Sequence, residues 1–209
     1  MTFLELLMDT RCLSCGTWGS ILCDRCAAHI GTPAAHGTTR AGVPIVALGE
    51  YHGALRSVIL AAKHRGAHSV VRRLGDALRD AIAPFGAVTA VPVPSSRPGH
   101  RARGFGLGAI MAKATGLPVA DCLVMEDTGT QRGRHRDERR RRQLHVATHR
   151  PPVGTRVVLL DDVLTTGASI DSAIDACCRA GLRIAAVLVL AVATPPRRDA
   201  RLPNSRVEV

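Results

Sequence analysis

The chain has 209 residues, enough for one domain and a small additional module, and 46% of them are hydrophobic, enough for a packed core. Only 2% are aromatic, which predicts a core of aliphatic side chains and alanine. The formal net charge of +11 favours anionic partners such as nucleic acids, nucleotides, phosphorylated sugars or acidic membranes. No apolar run approaches the ~18 residues of a transmembrane helix, and residues 1–9 lack a basic leader, so we expect no membrane insertion, no signal peptide and a cytoplasmic location.

Four cysteines near the N-terminus form two Cys-x-x-Cys pairs, and glycines between the pairs suit the tight turns of a knuckle. Two such pairs can supply four thiolates to one tetrahedral Zn²⁺, which leaves no open coordination position and indicates a structural role. A pair of disulfides, which a reducing cytosol disfavours, and a redox Cys-x-x-Cys are the alternatives. The predicted zinc ligands are Cys12, Cys15, Cys23 and Cys26.

The next segment changes from a linker composition to strand and helix patterns. Residues 31–42 are rich in Gly, Thr, Pro and Ala, so we predict an N-terminal module with its linker over 1–42. A strand is predicted over 43–48, a helix over 54–63 and a second helix over 70–83.

Another apolar strand is predicted over 88–94, and prolines break its end. Residues 95–104 are then predicted to form a basic loop rich in Gly and Ser. We expect this loop at the carboxyl end of a core strand, where a second phosphate-rich group can bind. A helix over 105–115 and a strand over 118–124 follow.

Residues 125–152 hold eight arginines and three histidines but no aromatic residue. We favour a solvated basic loop for the unliganded protein. A second interpretation is a lid that orders over a polyanion and keeps water from an oxocarbenium-like transition state. A third is a groove for single-stranded nucleic acid, although such grooves normally carry stacking aromatic residues.

Four apolar residues, 157–160, run directly into two adjacent acids and a loop of small and hydroxylic residues. The continuous apolar run predicts a strand buried on both faces, as in a parallel sheet. A helix is predicted after Gly167, ending at Gly181, and a buried strand over 184–192. Such a crossover places ligands at the carboxyl ends of its strands. The helix residues expected to face the core are Ile170, Ala173, Ile174, Cys177 and Cys178.

The loop after the two acids offers hydroxyls and unhindered backbone N–H groups at a helix N-terminus, which attract a phosphate. Asp161 and Asp162 are poor neighbours for a phosphate but suit ribose hydroxyls, or a Mg²⁺ that bridges to the ligand. The combination is typical of a site for a sugar phosphate. A strand end with an ordinary helix cap is the alternative. The candidate phosphate-binding residues are Thr165, Thr166, Gly167 and Ser169.

The same stretch resembles the phosphoribosyl-pyrophosphate (PRPP) motif of type I phosphoribosyltransferases: an apolar strand, Asp-Asp, two variable residues, Thr-Thr-Gly, a small residue and Ser. The resemblance implies that the acids hold the ribose 2′- and 3′-hydroxyls and that the Thr-Thr-Gly loop holds the 5′-phosphate. The residues that it assigns to PRPP are Asp161, Asp162, Val163, Leu164, Thr165, Thr166, Gly167, Ala168 and Ser169.

From about Cys12 to Thr194 the chain resembles the ComF family of phosphoribosyltransferase-like proteins. The four-Cys module, a Tyr-x-Gly with a helix ending in Lys, Val-Pro-Val-Pro with a downstream Arg-Gly-Phe, a Thr-x-x-Gln…Arg loop and the PRPP motif follow one another in that family's order. Gly106 and Arg142 stand where members usually carry Asn. Members are linked to DNA uptake in naturally competent bacteria. The residues that carry the resemblance are Tyr51, Gly53, Lys63, 91–94, 103–105, Thr128, Gln131 and Arg139.

The resemblance implies an α/β fold of the type I phosphoribosyltransferase kind, with a mainly parallel sheet flanked by helices over 43–194, and a tail over 195–209. The implied activity is Mg²⁺-dependent glycosyltransfer of phosphoribosyl from PRPP to an unknown acceptor. Two alternatives are a competence factor that binds single-stranded DNA and other DNA-uptake proteins, and a sensor that binds PRPP without turnover. The implied catalytic residues are Asp161, Asp162 and Arg103, with Ser95, Ser96 and Lys63 at PRPP and Gln131 and Arg139 in the basic loop.

Overall fold

Two sheets organise the fold. The computed structural model describes residues 10–94, 106–125 and 144–193, and within these ranges seven strands form a five-stranded sheet and a two-stranded ribbon. The strands are β1 (Ala34–Thr38), β2 (Pro44–Ala47), β3 (Thr89–Pro92), β4 (Leu123–Met125), β5 (Leu144–Val146), β6 (Arg156–Leu164) and β7 (Arg183–Val192). The order in the large sheet is β1-β2-β7-β6-β3, in which β2, β7, β6 and β3 run parallel and β1 pairs antiparallel with β2.

Helices cover both faces of the large sheet. The helices are α1 (Asp24–Ala28), α2 (Gly53–Arg65), α3 (His68–Leu78), α4 (Leu107–Ala114) and α5 (Ala168–Arg179), with a 3-10 helix at Asp80–Phe85. Val158 and Leu160 of β6 join the core beneath α2, α3 and α4, whereas Val157 and Leu159 join the core beneath α5. The expected mainly parallel α/β fold flanked by helices is therefore confirmed. No helix in the described part of the chain has the length and apolarity needed to cross a membrane.

The segment predicted to be a linker contains an edge strand. Within residues 31–42, β1 pairs with β2 in a register that joins Ala34 to Ala47 and Thr38 to Pro44. Its residues are mostly exposed or half-buried, because an edge strand has a partner on one side alone. A loop-like composition therefore did not prevent strand formation, since the exposed edge of β2 supplies the hydrogen bonds.

Two other boundaries differ from the sequence-based prediction. The strand predicted over 118–124 is not continuous: Val119 makes an isolated parallel bridge with Ala90, and β4 begins later. The helix predicted over 70–83 changes to 3-10 geometry after α3. Pro84 lies in that 3-10 turn and has no N–H to donate to an α-helical hydrogen bond.

α5 ends where its sequence predicts. Gly181 has a φ of +79° and follows the C-cap residue Ala180, as a C′ glycine does. Of the predicted inward face, Cys178 is exposed, and Ala176 is buried in its place. Each residue turns about 100° around a helix, so Ala176 and Cys178 lie on opposite sides of Cys177, and the buried face includes Ala176 but ends before Cys178.

The four-Cys segment and the large sheet share one core. Leu22 and Ile30, from the segment around the cysteines, are buried in the same cluster as Val46, Leu48 and Leu55. The N-terminal module therefore packs against the end of β2 and the first turn of α2. This packing brings the module to the carboxyl edge of the sheet.

Candidate functional site

β6 continues through both acids instead of ending before them. Asp161 pairs with Val189 of β7, and Leu164 pairs with Val192. The expectation that the acids follow the strand is therefore corrected. β7 is ten residues long, so it offers β6 hydrogen-bond partners beyond the apolar run.

The two acids have different surroundings. The Asp162 carboxylate lies 3.1 Å from Lys63 Nζ of α2, and these side chains are 13% and 25% exposed. Asp161 Oδ1 accepts a hydrogen bond of 2.8 Å from the backbone N–H of Asp162. Neighbouring residues of a strand point to opposite faces of the sheet. The side chain of Asp161 therefore leaves β6 on the face covered by α5, and that of Asp162 leaves it on the face covered by α2.

The loop that follows β6 presents free backbone donors. Its start is anchored, since the Ala193 N–H donates to the Leu164 carbonyl at 2.8 Å. Thr166 is exposed, and Gly167 takes a left-handed φ of +81° as the N-cap of α5. Within residues 10–94, 106–125 and 144–193, the N–H groups of Thr166, Gly167 and Ser169 find no acceptor. Such a helix N-terminus is positive and attracts anions.

The four cysteines predicted as zinc ligands come together. Their sulfur atoms all lie within 4.8 Å of one another. Cys15 Sγ and Cys23 Sγ are 3.6 Å apart, far beyond the ~2.05 Å of a disulfide. Sulfurs bound at ~2.3 Å to a tetrahedral Zn²⁺ stand about 3.8 Å apart, so the spacing fits that ion. These four residues therefore form a cluster that could hold one metal ion, and the choice of zinc stays a prediction.

The thiols of this cluster differ in acidity. A hydrogen bond with the Thr17 hydroxyl, 3.2 Å away, is the main reason that the pKa of Cys15 falls to about 5. A hydrogen bond from Ser14 lowers the pKa of Cys26, but burial and the three other thiols outweigh it and raise that pKa to about 12. Four neighbouring thiolates repel one another, so full deprotonation requires a cation among them.

A cleft of about 470 Å³ lies at the surface between the four-Cys module and the start of α2. His29 Nδ1 lies 2.6 Å from the Arg25 carbonyl, which can accept but not donate, so the ring carries its proton there. His52 Nε2 lies 3.5 Å from the Glu50 carboxylate. The backbone of Glu50 forms an isolated parallel β-bridge with Val192, the last residue of β7. The cleft therefore opens at the edge of the sheet where β6 and β7 end. No sequence signal marks the cleft, because it forms between segments that pack together after folding.

Several sequence-predicted site residues lie outside the described residues. They belong to the basic Gly/Ser-rich loop and to the arginine-rich segment, and the terminal segments 1–9 and 194–209 lie outside as well. The residues concerned are Ser95, Ser96, Arg103, Gln131 and Arg139. The remaining candidates form two groups: Lys63 with the β6–α5 unit, and the four cysteines.

A scan against protein-family models and a search of curated proteins found no match. Among solved structures, the orotate phosphoribosyltransferase of Aeropyrum pernix is 21% identical with a TM-score of 0.41, and the match covers 80% of this chain and 80% of that chain. The adenine phosphoribosyltransferase of Thermoanaerobacter pseudethanolicus is 12% identical with a TM-score of 0.43, covering 63% and 84%. The UMP synthase of Leishmania donovani is 14% identical with a TM-score of 0.40, covering 80% and 30%. Similarities with TM-scores this low do not identify the function of this protein.

Proposed function

We propose that this protein binds PRPP at the carboxyl end of β6 and transfers its phosphoribosyl group to an acceptor, with release of pyrophosphate. One observation carries the proposal: the two acids of β6 are followed within a few residues by N–H groups at the start of α5 that have no acceptor among the described residues. Amides suit a phosphate, and carboxylates suit sugar hydroxyls. The ComF-like order of motifs in the sequence agrees with this assignment.

In this proposal the loop and the acids bind different parts of PRPP. The N–H groups of Thr166, Gly167 and Ser169 donate to the 5′-phosphate, with the threonine hydroxyls beside them. Asp161 and Asp162 accept hydrogen bonds from the ribose 2′- and 3′-hydroxyls. Since the two carboxylates start on opposite faces of β6, each rotates toward the open edge of the sheet when the ribose binds.

Lys63 has two tasks in this proposal. Without ligand it holds the Asp162 carboxylate at 3.1 Å on the α2 side. When the ribose hydroxyls donate hydrogen bonds to Asp162, the Lys63 ammonium group becomes available to the phosphates of PRPP. The pair therefore positions the acid and supplies a cation at the same point.

Zinc and magnesium fit this chain differently. The four thiols suit one Zn²⁺. The ion would link the first turns of the module, which carry Cys12 and Cys15, to α1 and its N-cap, which carry Cys26 and Cys23. In the described part of the chain, no other group of three metal-binding side chains comes together. A Mg²⁺ would therefore arrive with the phosphates of PRPP and use the acids of β6 as further ligands. Its contribution would be to neutralise charge on the leaving pyrophosphate.

Calorimetric titration of the zinc-loaded protein with PRPP, with and without Mg²⁺, tests the proposal. We expect binding that Mg²⁺ strengthens and that Asp162→Asn weakens. Asp175→Asn removes one exposed carboxylate from α5 and should leave binding unchanged. Absence of binding at millimolar PRPP would refute the proposal.

A screen for pyrophosphate release against bases, amines and nucleic acids then separates an enzyme from a sensor. Release with one acceptor supports transfer, whereas binding without release with every acceptor supports a regulatory PRPP sensor. The competence alternative rests on the resemblance alone. It predicts salt-dependent binding of single-stranded DNA that survives loss of both β6 acids.

A further inference from the structure

An arginine from the segment predicted to be a linker lies beside the start of α5. Arg40 is in the turn between β1 and β2, and its Nε is 3.8 Å from Asp171 Oδ2. Asp171 lies in the first turn of α5, and its N–H donates to the Gly167 carbonyl at 2.8 Å. A Cβ placed on Gly167 would stand 3.9 Å from the same Oδ2. The Asp171 carboxylate therefore connects Arg40 to the loop of free N–H groups.

The turn holds the Arg40 backbone while leaving its side chain free. The Thr39 N–H donates to the Val43 carbonyl at 2.9 Å, and the Val43 N–H donates to the Thr39 hydroxyl at 3.1 Å. The Arg40 side chain, in contrast, is 87% exposed. An exposed ion pair of this kind stabilises a fold very little, so the guanidinium can change partner at small cost.

Asp171 by itself is an unfavourable neighbour for a bound phosphate, because it adds a negative charge next to the N–H groups of the loop. A mobile cation beside it removes that disadvantage. A guanidinium can in addition donate two parallel hydrogen bonds to a phosphate, which makes a phosphate a better partner than a carboxylate at 3.8 Å.

We propose that Arg40 binds the 5′-phosphate of the ligand held by the β6–α5 loop, leaving Asp171 when the phosphate arrives. This inference rests on the proposed function and adds a residue that no motif of the sequence includes. It makes the β1–β2 turn part of the binding site. No covalent bond changes in this step: one ion pair is exchanged for another.

Titration with ribose 5-phosphate and with ribose tests the assignment. We expect Arg40→Ala to raise the Kd for ribose 5-phosphate about tenfold, which corresponds to one charge-assisted contact, and to leave the response to ribose unchanged. Arg40→Lys should raise the Kd for ribose 5-phosphate by a smaller factor, because it keeps the positive charge. Arg183→Ala is the matched control, since Arg183 is also exposed but, within the described residues, forms no ion pair with Asp171. Circular dichroism should show wild-type folding for all three variants.

Asp171→Asn separates phosphate binding from mere neutralisation of Asp171. If Arg40 touches the phosphate, Arg40→Ala weakens binding in the Asp171→Asn background as well. If Arg40 only neutralises Asp171, the loss disappears in that background, and the inference is overturned. Unchanged affinity of Arg40→Ala, with the wild type binding normally, overturns the inference and leaves the proposed function intact. Failure of the wild-type protein to bind either ribose 5-phosphate or PRPP overturns both.

Discussion

Removing the charge of Lys63 should destabilise the protein through Asp162. The two side chains meet at 3.1 Å and are 25% and 13% exposed, so most of the pair is out of contact with water. Lys63→Met keeps the length of the side chain but leaves the Asp162 carboxylate without its cation. The loss therefore comes mainly from an uncompensated charge in a partly buried position.

The size of this effect lies between two limits. A fully exposed pair contributes about 0–1 kcal/mol, whereas a buried charge that loses its partner costs about 3–5 kcal/mol. For this partly buried pair we expect the free energy of unfolding to fall by about 2 kcal/mol. In a chain of this size, that change lowers the melting temperature by about 4–8 °C.

Thermal and urea denaturation of the zinc-loaded protein measure the effect. Lys113→Met, at an exposed position of α4, removes the same charge and should change the melting temperature by less than about 2 °C. Lys63→Met/Asp162→Asn should recover most of the loss, because no charge is left unpaired. A wild-type melting temperature for Lys63→Met, or no recovery in the double variant, would show that the pair is not as the structure has it.

Three further predictions concern other parts of the molecule. The protein should contain one zinc per chain by elemental analysis, and Cys26→Ser or chelation should remove the metal and lower the melting temperature. Gly167→Ala should cost about 1–2 kcal/mol of stability and weaken PRPP binding, because the residue has a φ of +81° in the loop that we propose binds the 5′-phosphate. Gly154→Ala, at a φ of +86° with no atom within 4 Å, should show the strain without the loss of PRPP affinity. Burial raises the pKa of Cys177 from 9.0 to about 12, so its stabilising contribution should be complete below pH 9 and be lost as pH rises toward 12. Denaturation at a series of pH values should show this fall in the wild type and a smaller one in Cys177→Ala.

Patterns that act over short distances were readable from the residues. The apolar run 157–160 became a strand buried on both faces, and Gly181 ended α5 in a left-handed conformation. The two Cys-x-x-Cys pairs met as one cluster. In each case neighbouring residues determine the outcome, because strand periodicity, the φ of a glycine and the reach of a thiolate pair are local properties.

Contacts between distant segments were decided by the tertiary structure alone. Lys63 and Asp162 are 99 positions apart, and they meet because α2 and β6 share one face of the sheet. Arg40 reaches Asp171 because β1 pairs with β2 at the edge, although the composition of that segment resembles a linker. Strand order and helix packing bring these charges together, and neither is encoded in the spacing of residues along the chain. The sequence by itself thus indicated most of the helices and strands and the loop that we propose binds a phosphate, while the long-range packing decided which charged side chains surround that loop.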